Sequence, residues 1–87
     1  MVRVYYSINW TTRTTAGTFR RYNRILEGED MNDQKAQDFA RSKANNSRNF
    51  NVDCWRMDNE IIEPEYKDAN GIWHASKDRT IATRLTF

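Results

Sequence analysis

The chain has 87 residues, a net charge of +2, 38% hydrophobic residues and a single cysteine. This length predicts one domain, residues 1–87, with a small core. A lone cysteine excludes an internal disulfide and a multi-cysteine zinc site, and no apolar run reaches membrane-spanning length. No signal-peptide pattern is visible either, so we expect a cytoplasmic protein that does not enter a membrane.

Aromatic side chains must supply much of the core, since 13% of the residues are Phe, Trp or Tyr. Each such ring buries a large apolar area, which offsets the low hydrophobic content. A core this lean also leaves apolar surface that a partner, or a second copy of the chain, would cover.

Residues 2–10 carry the clearest pattern in the sequence. Large apolar side chains occupy every even position, and mostly polar side chains occupy the odd positions. Successive side chains of a β-strand point to opposite faces, so this segment predicts a strand with one buried face. The prediction places Tyr6 and Ile8 inside and Arg3 and Tyr5 outside.

The rest of the chain predicts one helix and several further strands. The helix is expected at about 33–44, where alanines recur at helical spacing behind a capping residue. The strands are predicted at 18–26, 49–57, 61–66, 72–75 and 80–87, with a loop at 11–17 and turns at 58–60, 68–71 and 76–79. The predicted fold class is α+β: a twisted antiparallel sheet of four to six strands, in the order ββαβββ(β), with the helix on its apolar face.

The alternation of the strands also predicts which side chains form the core. Cys54 is expected there as a small hydrophobic residue. The large side chains expected to be buried together are Val4, Tyr6, Ile8, Phe39, Phe50, Val52, Ile81 and Leu85.

Little in the sequence suggests catalysis. His74 is the only histidine, and the three glycines do not form a phosphate-binding loop. The carboxylates between residues 58 and 68 lack the spacing of a calcium loop. We therefore expect a protein that acts by binding, without catalytic residues, cofactor or metal.

Charge is distributed unevenly along the chain. Residues 1–26 contain five arginines and no acid, residues 27–71 carry a net charge of −5, and residues 72–87 carry +2. Such segregation of charge affects which partners the protein can bind. It is compatible with binding to nucleic acid and with binding to another protein.

One hypothesis is a single-stranded nucleic-acid-binding module. Arginines that contact phosphates, alternating with rings on which bases stack, are typical of open-sheet binders. The candidate side chains, expected together on the outer face of the sheet, are Arg3, Tyr5, Arg20, Tyr22, Arg24 and Arg84. The alternative use of the same side chains is to cover the solvent side of the sheet.

The other hypothesis is a protein binder. Exposed Trp55, Trp73 or Tyr66 would anchor a partner, because tryptophan and tyrosine concentrate binding energy. The neighbouring acidic residues Glu60, Glu63 and Glu65 would steer a charged partner.

In its size and its richness in Asn, Thr, Asp and Arg, the chain resembles the small accessory proteins of bacteriophages. Anti-CRISPR and other anti-defence inhibitors are among them. This resemblance covers general character and no motif. It implies a stoichiometric inhibitor that occludes a host protein or a protein–nucleic-acid complex, such as host defence machinery or another nucleic-acid-handling complex. The single-stranded nucleic-acid binder is the alternative.

Overall fold

A four-stranded antiparallel sheet with one helix packed on one face forms the body of the molecule, in a computed structural model that describes residues 2–87. The strand order is β2-β1-β3-β6, and a separate two-stranded ribbon contains β4 and β5. The elements are β1 (Val2–Arg13), β2 (Phe19–Leu26), α1 (Asp33–Ala44), β3 (Asn49–Glu63), β4 (Tyr66–Lys67), β5 (Trp73–His74) and β6 (Lys77–Arg84). The predicted α+β class, with one helix on an antiparallel sheet, is confirmed.

Strand β1 is one of the two inner strands and pairs with β2 on one side and β3 on the other. Its alternation has the predicted phase: Tyr6 and Ile8 are buried beneath the helix, and Arg3 is exposed on the opposite face. Ile8 has no solvent-accessible surface and lies directly opposite Cys54 of β3. The core is therefore centred where the middle of β1 meets the middle of β3.

Helix α1 begins and ends where its sequence predicts. The Asn32 side chain caps it by accepting a hydrogen bond from the Lys35 amide at 2.9 Å, which satisfies one of the free N–H groups of the first turn. Ala36 and Ala40 are fully buried. Their small side chains, one turn apart, let the helix lie close to the sheet.

Side chains at both ends of α1 attach it to the sheet. At the amino end, the Tyr6 hydroxyl donates to the Asp33 carboxylate at 2.5 Å, and the Arg56 guanidinium donates to the same carboxylate at 3.0 Å. Burial, followed by the Asp33 hydrogen bond, raises the pKa of Tyr6 to about 12. At the carboxyl end, the Lys43 ammonium lies 4.8 Å from the centre of the Trp10 ring, a favourable cation–π contact.

The fully buried core is smaller than predicted. It consists of Tyr6, Ile8, Ala36, Ala40 and Cys54, with Val4, Trp10, Leu26, Met31, Phe39, Val52 and Leu85 packed against it as partly buried residues. Cys54 is the core residue that its position predicts, and burial raises the pKa of its thiol.

Two members of the predicted core, Phe50 and Ile81, are exposed at 41% and 56%. A bulge explains Phe50: Asn9 pairs with Asp53 but Thr11 pairs with Phe50, so β3 holds one extra residue. Within it, Asn51 has a φ of 52°, and the extra residue turns Phe50 onto the opposite face. Ile81 is on the helix side but belongs to β6, an edge strand that the helix does not cover.

The turn predicted at 58–60 is wrong, because β3 runs straight through these residues. Both neighbours pair with this segment: Asp58 is opposite Val4 and Ile81, and Asn59 is opposite Arg3 and Thr80. The polar side chains that suggested a turn have partners within the sheet: Asn59 and Glu60 contact residues of β6, and Asp58 pairs with Arg56 of β3. Asn59 donates to Thr80 at 2.8 Å, so cross-strand pairing outweighs local turn preference. For the same reason β6 begins at Lys77, inside the turn predicted at 76–79.

The turn predicted at 68–71 is confirmed and joins β4 to β5. The Asp68 carboxylate accepts hydrogen bonds from the amides of Asn70 at 2.9 Å and Ile72 at 3.0 Å. Gly71 has a φ of 79°, which glycine adopts without strain. This ribbon and the long β3 make the molecule elongated: its extents are 57 × 30 × 19 Å and its radius of gyration is 17.4 Å, against about 12 Å for a compact chain of this length.

Within residues 2–87, no helix has the length and apolar character that crossing a membrane requires.

Candidate binding surfaces

The register of the sheet decides which candidate side chains share a face. Arg3 and Tyr5 point to the face that carries no helix, here called the open face. Arg84 lies on the same face, since it pairs with Trp55, which in turn pairs with Ser7 of β1. The Arg84 guanidinium is 6.0 Å from the centre of the Trp55 ring. These side chains are therefore on one face, as predicted.

The other half of the predicted arginine–tyrosine face is wrong. Arg20, Tyr22 and Arg24 lie on the helix side of β2, because Tyr22 is opposite Trp10 and Arg24 is opposite Ile8. Tyr22 stacks on Trp10 with ring centres 5.6 Å apart. The alternation predicted for β2 differs by one residue from its observed register with β1, and such a shift exchanges the two faces of a strand.

A polar ladder crosses the open face at its middle. Asn23 of β2 donates to the Asn9 side-chain oxygen at 2.8 Å and to the Ser7 hydroxyl at 2.9 Å. Asn9 in turn donates to the Asp53 carboxylate of β3 at 2.9 Å. Here lies a shallow depression of about 430 Å³, lined by both asparagines and by Arg21. The ladder satisfies these polar groups and separates the aromatic side chains at the two ends of the open face.

One end of the sheet, where β1 turns into β2, collects positive charge. We call this the arginine end and define it by Arg13, Arg20, Arg21 and Arg48 together with Phe19 and Phe50. Arg13 pairs with Phe19, Thr12 with Arg20 and Thr11 with Arg21, and the Arg13 amide donates to the Arg48 carbonyl at 2.9 Å. Among residues 2–87, none of these arginines has an acidic group within ion-pair distance.

Two phenylalanine rings lie beside these arginines. Phe19 and Phe50 meet edge to face, with ring centres 5.5 Å apart. Phe19 is 61% exposed, although it belongs to a strand. The arginine end therefore combines accessible aromatic rings with cations that have no acidic partner in the described part of the chain.

A second aromatic surface lies on the two-stranded ribbon. We call residues 66–74 the tryptophan hairpin. Trp73 is 63% exposed and Ile72 is 59% exposed, and Tyr66 is also exposed. The Tyr66 ring stacks on the His74 ring, with centres 4.6 Å apart and planes within 6°.

Hydrogen bonds centred on Asp68 hold the tryptophan hairpin in shape. The His74 Nε2 atom lies 2.9 Å from the Asp68 carboxylate, which also accepts the two turn amides. The hydrogen bond with His74, and after it the amide of Ile72, lowers the pKa of Asp68. The exposed Trp73 is therefore carried by a fixed turn.

Two of the three predicted acidic side chains lie on β3 and have cationic partners on β6. Glu60 accepts from Arg79 at 2.8 Å, and Glu63 lies 3.5 Å from the Lys77 ammonium. Glu65, beside Tyr66, is exposed. Of the predicted acids, only Glu65 adjoins Tyr66 along the chain, and Trp55 lies elsewhere, half-buried on the open face.

The residues with potential reactivity lie in separate surroundings. Cys54 is fully buried in the core, whereas His74 belongs to the tryptophan hairpin. Within residues 2–87, no three His, Cys, Asp or Glu side chains are grouped as metal ligands would be.

Sequence reasoning missed most of the arginine end. The predicted candidates do not include five of its side chains: Arg13, Arg21, Arg48, Phe19 and Phe50. Arg48 is distant in sequence from β1 and β2, and the bulge at Asn51 is needed to bring Phe50 to Phe19. The available signal was the acid-free composition of residues 1–26.

Comparison with known proteins finds no matching family model, no matching curated protein and no matching solved structure.

Proposed function

We propose that this chain is a non-enzymatic binding protein, a stoichiometric inhibitor of the phage anti-defence (anti-CRISPR-like) kind, that occludes a host protein or protein–nucleic-acid complex. The observation that supports this proposal is the exposure of Trp73 and Ile72 together on one hairpin. Contiguous exposed apolar surface on a soluble protein often marks an interaction site. Tryptophan is also the residue type that most often dominates an interface.

The hydrogen bonds within the tryptophan hairpin favour its use as an anchor for a protein partner. Ordering a flexible loop on binding opposes association, and a loop already held by hydrogen bonds avoids much of that loss. Asp68 accepts hydrogen bonds from two turn amides and contacts His74, so the turn that presents Trp73 is ordered in advance. The exposed Glu65 is available at the rim, where charges mainly affect the rate of encounter.

The biological setting is part of the same proposal. The resemblance to phage accessory proteins in size and composition is our reason for proposing that the inhibitor acts in the cytoplasm of an infected host cell. An inhibitor that acts by occlusion needs a large contact surface and no reactive group. The elongated shape, 57 Å in its longest dimension, provides such a surface on a small chain.

Affinity capture from a host-cell extract, with nuclease added, tests this function. The tagged protein is expected to retain a protein partner in amounts close to its own. Trp73→Ala should lose that partner, because the anchor ring is removed. Phe19→Ala is the matched control, since this ring is equally exposed but lies at the arginine end, and it should retain the partner.

Two results would contradict the proposal. One is a partner that Trp73→Ala retains as well as the parent protein does. The other is a partner that disappears whenever nuclease is present, which would mean that nucleic acid alone links the two proteins. Circular dichroism of each variant confirms that the sheet is intact.

A further inference from the structure

We propose that the arginine end is a binding site for single-stranded nucleic acid, distinct from the tryptophan hairpin. The site is assembled by the sheet from β1, β2 and the start of β3. Its cations are Arg13, Arg20, Arg21 and Arg48, and its rings are Phe19 and Phe50.

The charge of the arginine end supports this site. Arginines on protein surfaces commonly have acidic neighbours, as Arg3 has Glu27 and Arg79 has Glu60 in this molecule. The four arginines of the arginine end have no such neighbour among residues 2–87. The nearest acid along β3, Asp53, lines the same depression as Arg21 but makes no ion pair with it, and its carboxylate accepts from Asn9. A concentration of uncompensated guanidinium groups attracts a polyanion and binds its phosphates in bidentate fashion.

The arrangement of rings and cations on β2 also supports this site. This strand is at the edge of the sheet, so both of its faces and its outer side are accessible. Phe19 and Arg21 lie on the open face, and Arg20 and Tyr22 lie on the helix side. Residues 19–24 extend over about 17 Å at the rise of a β-strand. A chain of nucleotides that follows this edge meets a cation and a ring on either side.

The aromatic rings favour a single strand over a duplex. Bases of a single strand can stack on Phe19, whereas bases in a duplex are already stacked on each other. The rings also favour nucleic acid over an acidic protein surface. Carboxylates would form ion pairs with the arginines but would provide no stacking partner for the exposed Phe19 ring. Cations interleaved with accessible rings are typical of sites that bind both the phosphates and the bases.

Fluorescence anisotropy with a labelled 12-nucleotide oligothymidylate tests the site on the purified full chain. Binding is expected at low salt, with a log–log salt slope of about −3 for four phosphate contacts, at roughly 0.7 per phosphate. Phe19→Ala should weaken binding about 5- to 150-fold, the range for one lost stacking platform.

Two double variants distinguish the loss of specific contacts at the site from a general effect of lower net charge. Arg20→Ala/Arg21→Ala should weaken binding and reduce the magnitude of the slope by about 1.4, because two phosphate contacts are lost. Arg3→Ala/Arg79→Ala removes the same charge from arginines that already have acidic partners, and it should leave the slope nearly unchanged.

Four results would overturn the proposal: no binding of the oligonucleotide at 50 mM salt, equal weakening by both double variants, tighter binding of the corresponding duplex, or equal affinity for poly-glutamate. Failure here is distinguishable from failure of the proposed inhibitor function. Arg20→Ala/Arg21→Ala leaves the tryptophan hairpin intact, so protein capture in the presence of nuclease reports on the hairpin alone.

Discussion

Replacing Ile8 with alanine should remove a large part of the stability of this fold. Ile8 lies on β1 beneath the helix, beside Cys54 of β3, and is one of five buried core residues within the described range 2–87. The change deletes three buried carbon atoms and leaves a cavity beside Cys54, which together cost about 2–5 kcal/mol. A domain of this length has a free energy of unfolding of about 4–13 kcal/mol, at roughly 0.05–0.15 kcal/mol per residue. Ile8→Ala should therefore lower the urea midpoint strongly.

Urea unfolding followed by far-ultraviolet circular dichroism measures this loss, with the slope m used to check that unfolding remains two-state. Val2→Ala is the control, since Val2 is on the same face of β1 but largely exposed, and it should change the free energy of unfolding by less than about 0.5 kcal/mol. A loss below about 1 kcal/mol for Ile8→Ala, or an equal loss for both variants, would refute the placement of the core at the crossing of β1, β3 and α1.

Three further predictions concern the attachment of the helix and the buried thiol. The free energy of unfolding should fall as pH rises from about 10 to 12, by up to ~1.4 kcal/mol per pH unit, because the phenol of Tyr6 ionises in the unfolded chain before it does so in the fold. Urea titrations should show a smaller fall for Tyr6→Phe, and an identical fall would contradict the raised pKa of Tyr6, which burial and then the Asp33 hydrogen bond produce. Asn32→Ala removes the cap on the Lys35 amide and should cost about 1 kcal/mol in the same assay, with no change counting against the cap. Cys54 should react with a thiol reagent far more slowly in the native protein than in urea, because it is fully buried; equal rates would show that the core opens freely.

The elements that the sequence predicts well are those with a strong local signal. The alternation in β1 needs no knowledge of its neighbours, and its phase is confirmed by the buried Tyr6 and Ile8. Helix α1 is equally local, since its cap and its paired alanines all lie within residues 32–44. The Asp68 turn is also local, because the aspartate accepts hydrogen bonds from amides two and four residues ahead.

The errors arise where pairing between distant segments decides the structure. Residues 58–60 have the composition of a turn, yet they are held in β3 by strands on both sides. The faces of β2 depend on the register that pairs Tyr6 with Leu26, and no pattern within β2 specifies that register. The arginine end depends on the same register and on the bulge at Asn51, so its residues come together only in the folded chain.

The most direct test of the inhibitor function is a titration of the captured partner's own activity with the purified protein. At partner concentrations far above the dissociation constant, the account predicts that activity falls in a straight line and reaches its minimum at one inhibitor per partner. Trp73→Ala should leave most of that activity in place at the same ratio. Complete loss of activity at a small fraction of one inhibitor per partner would contradict the account, because a protein that acts only by occlusion cannot inactivate more partners than it binds.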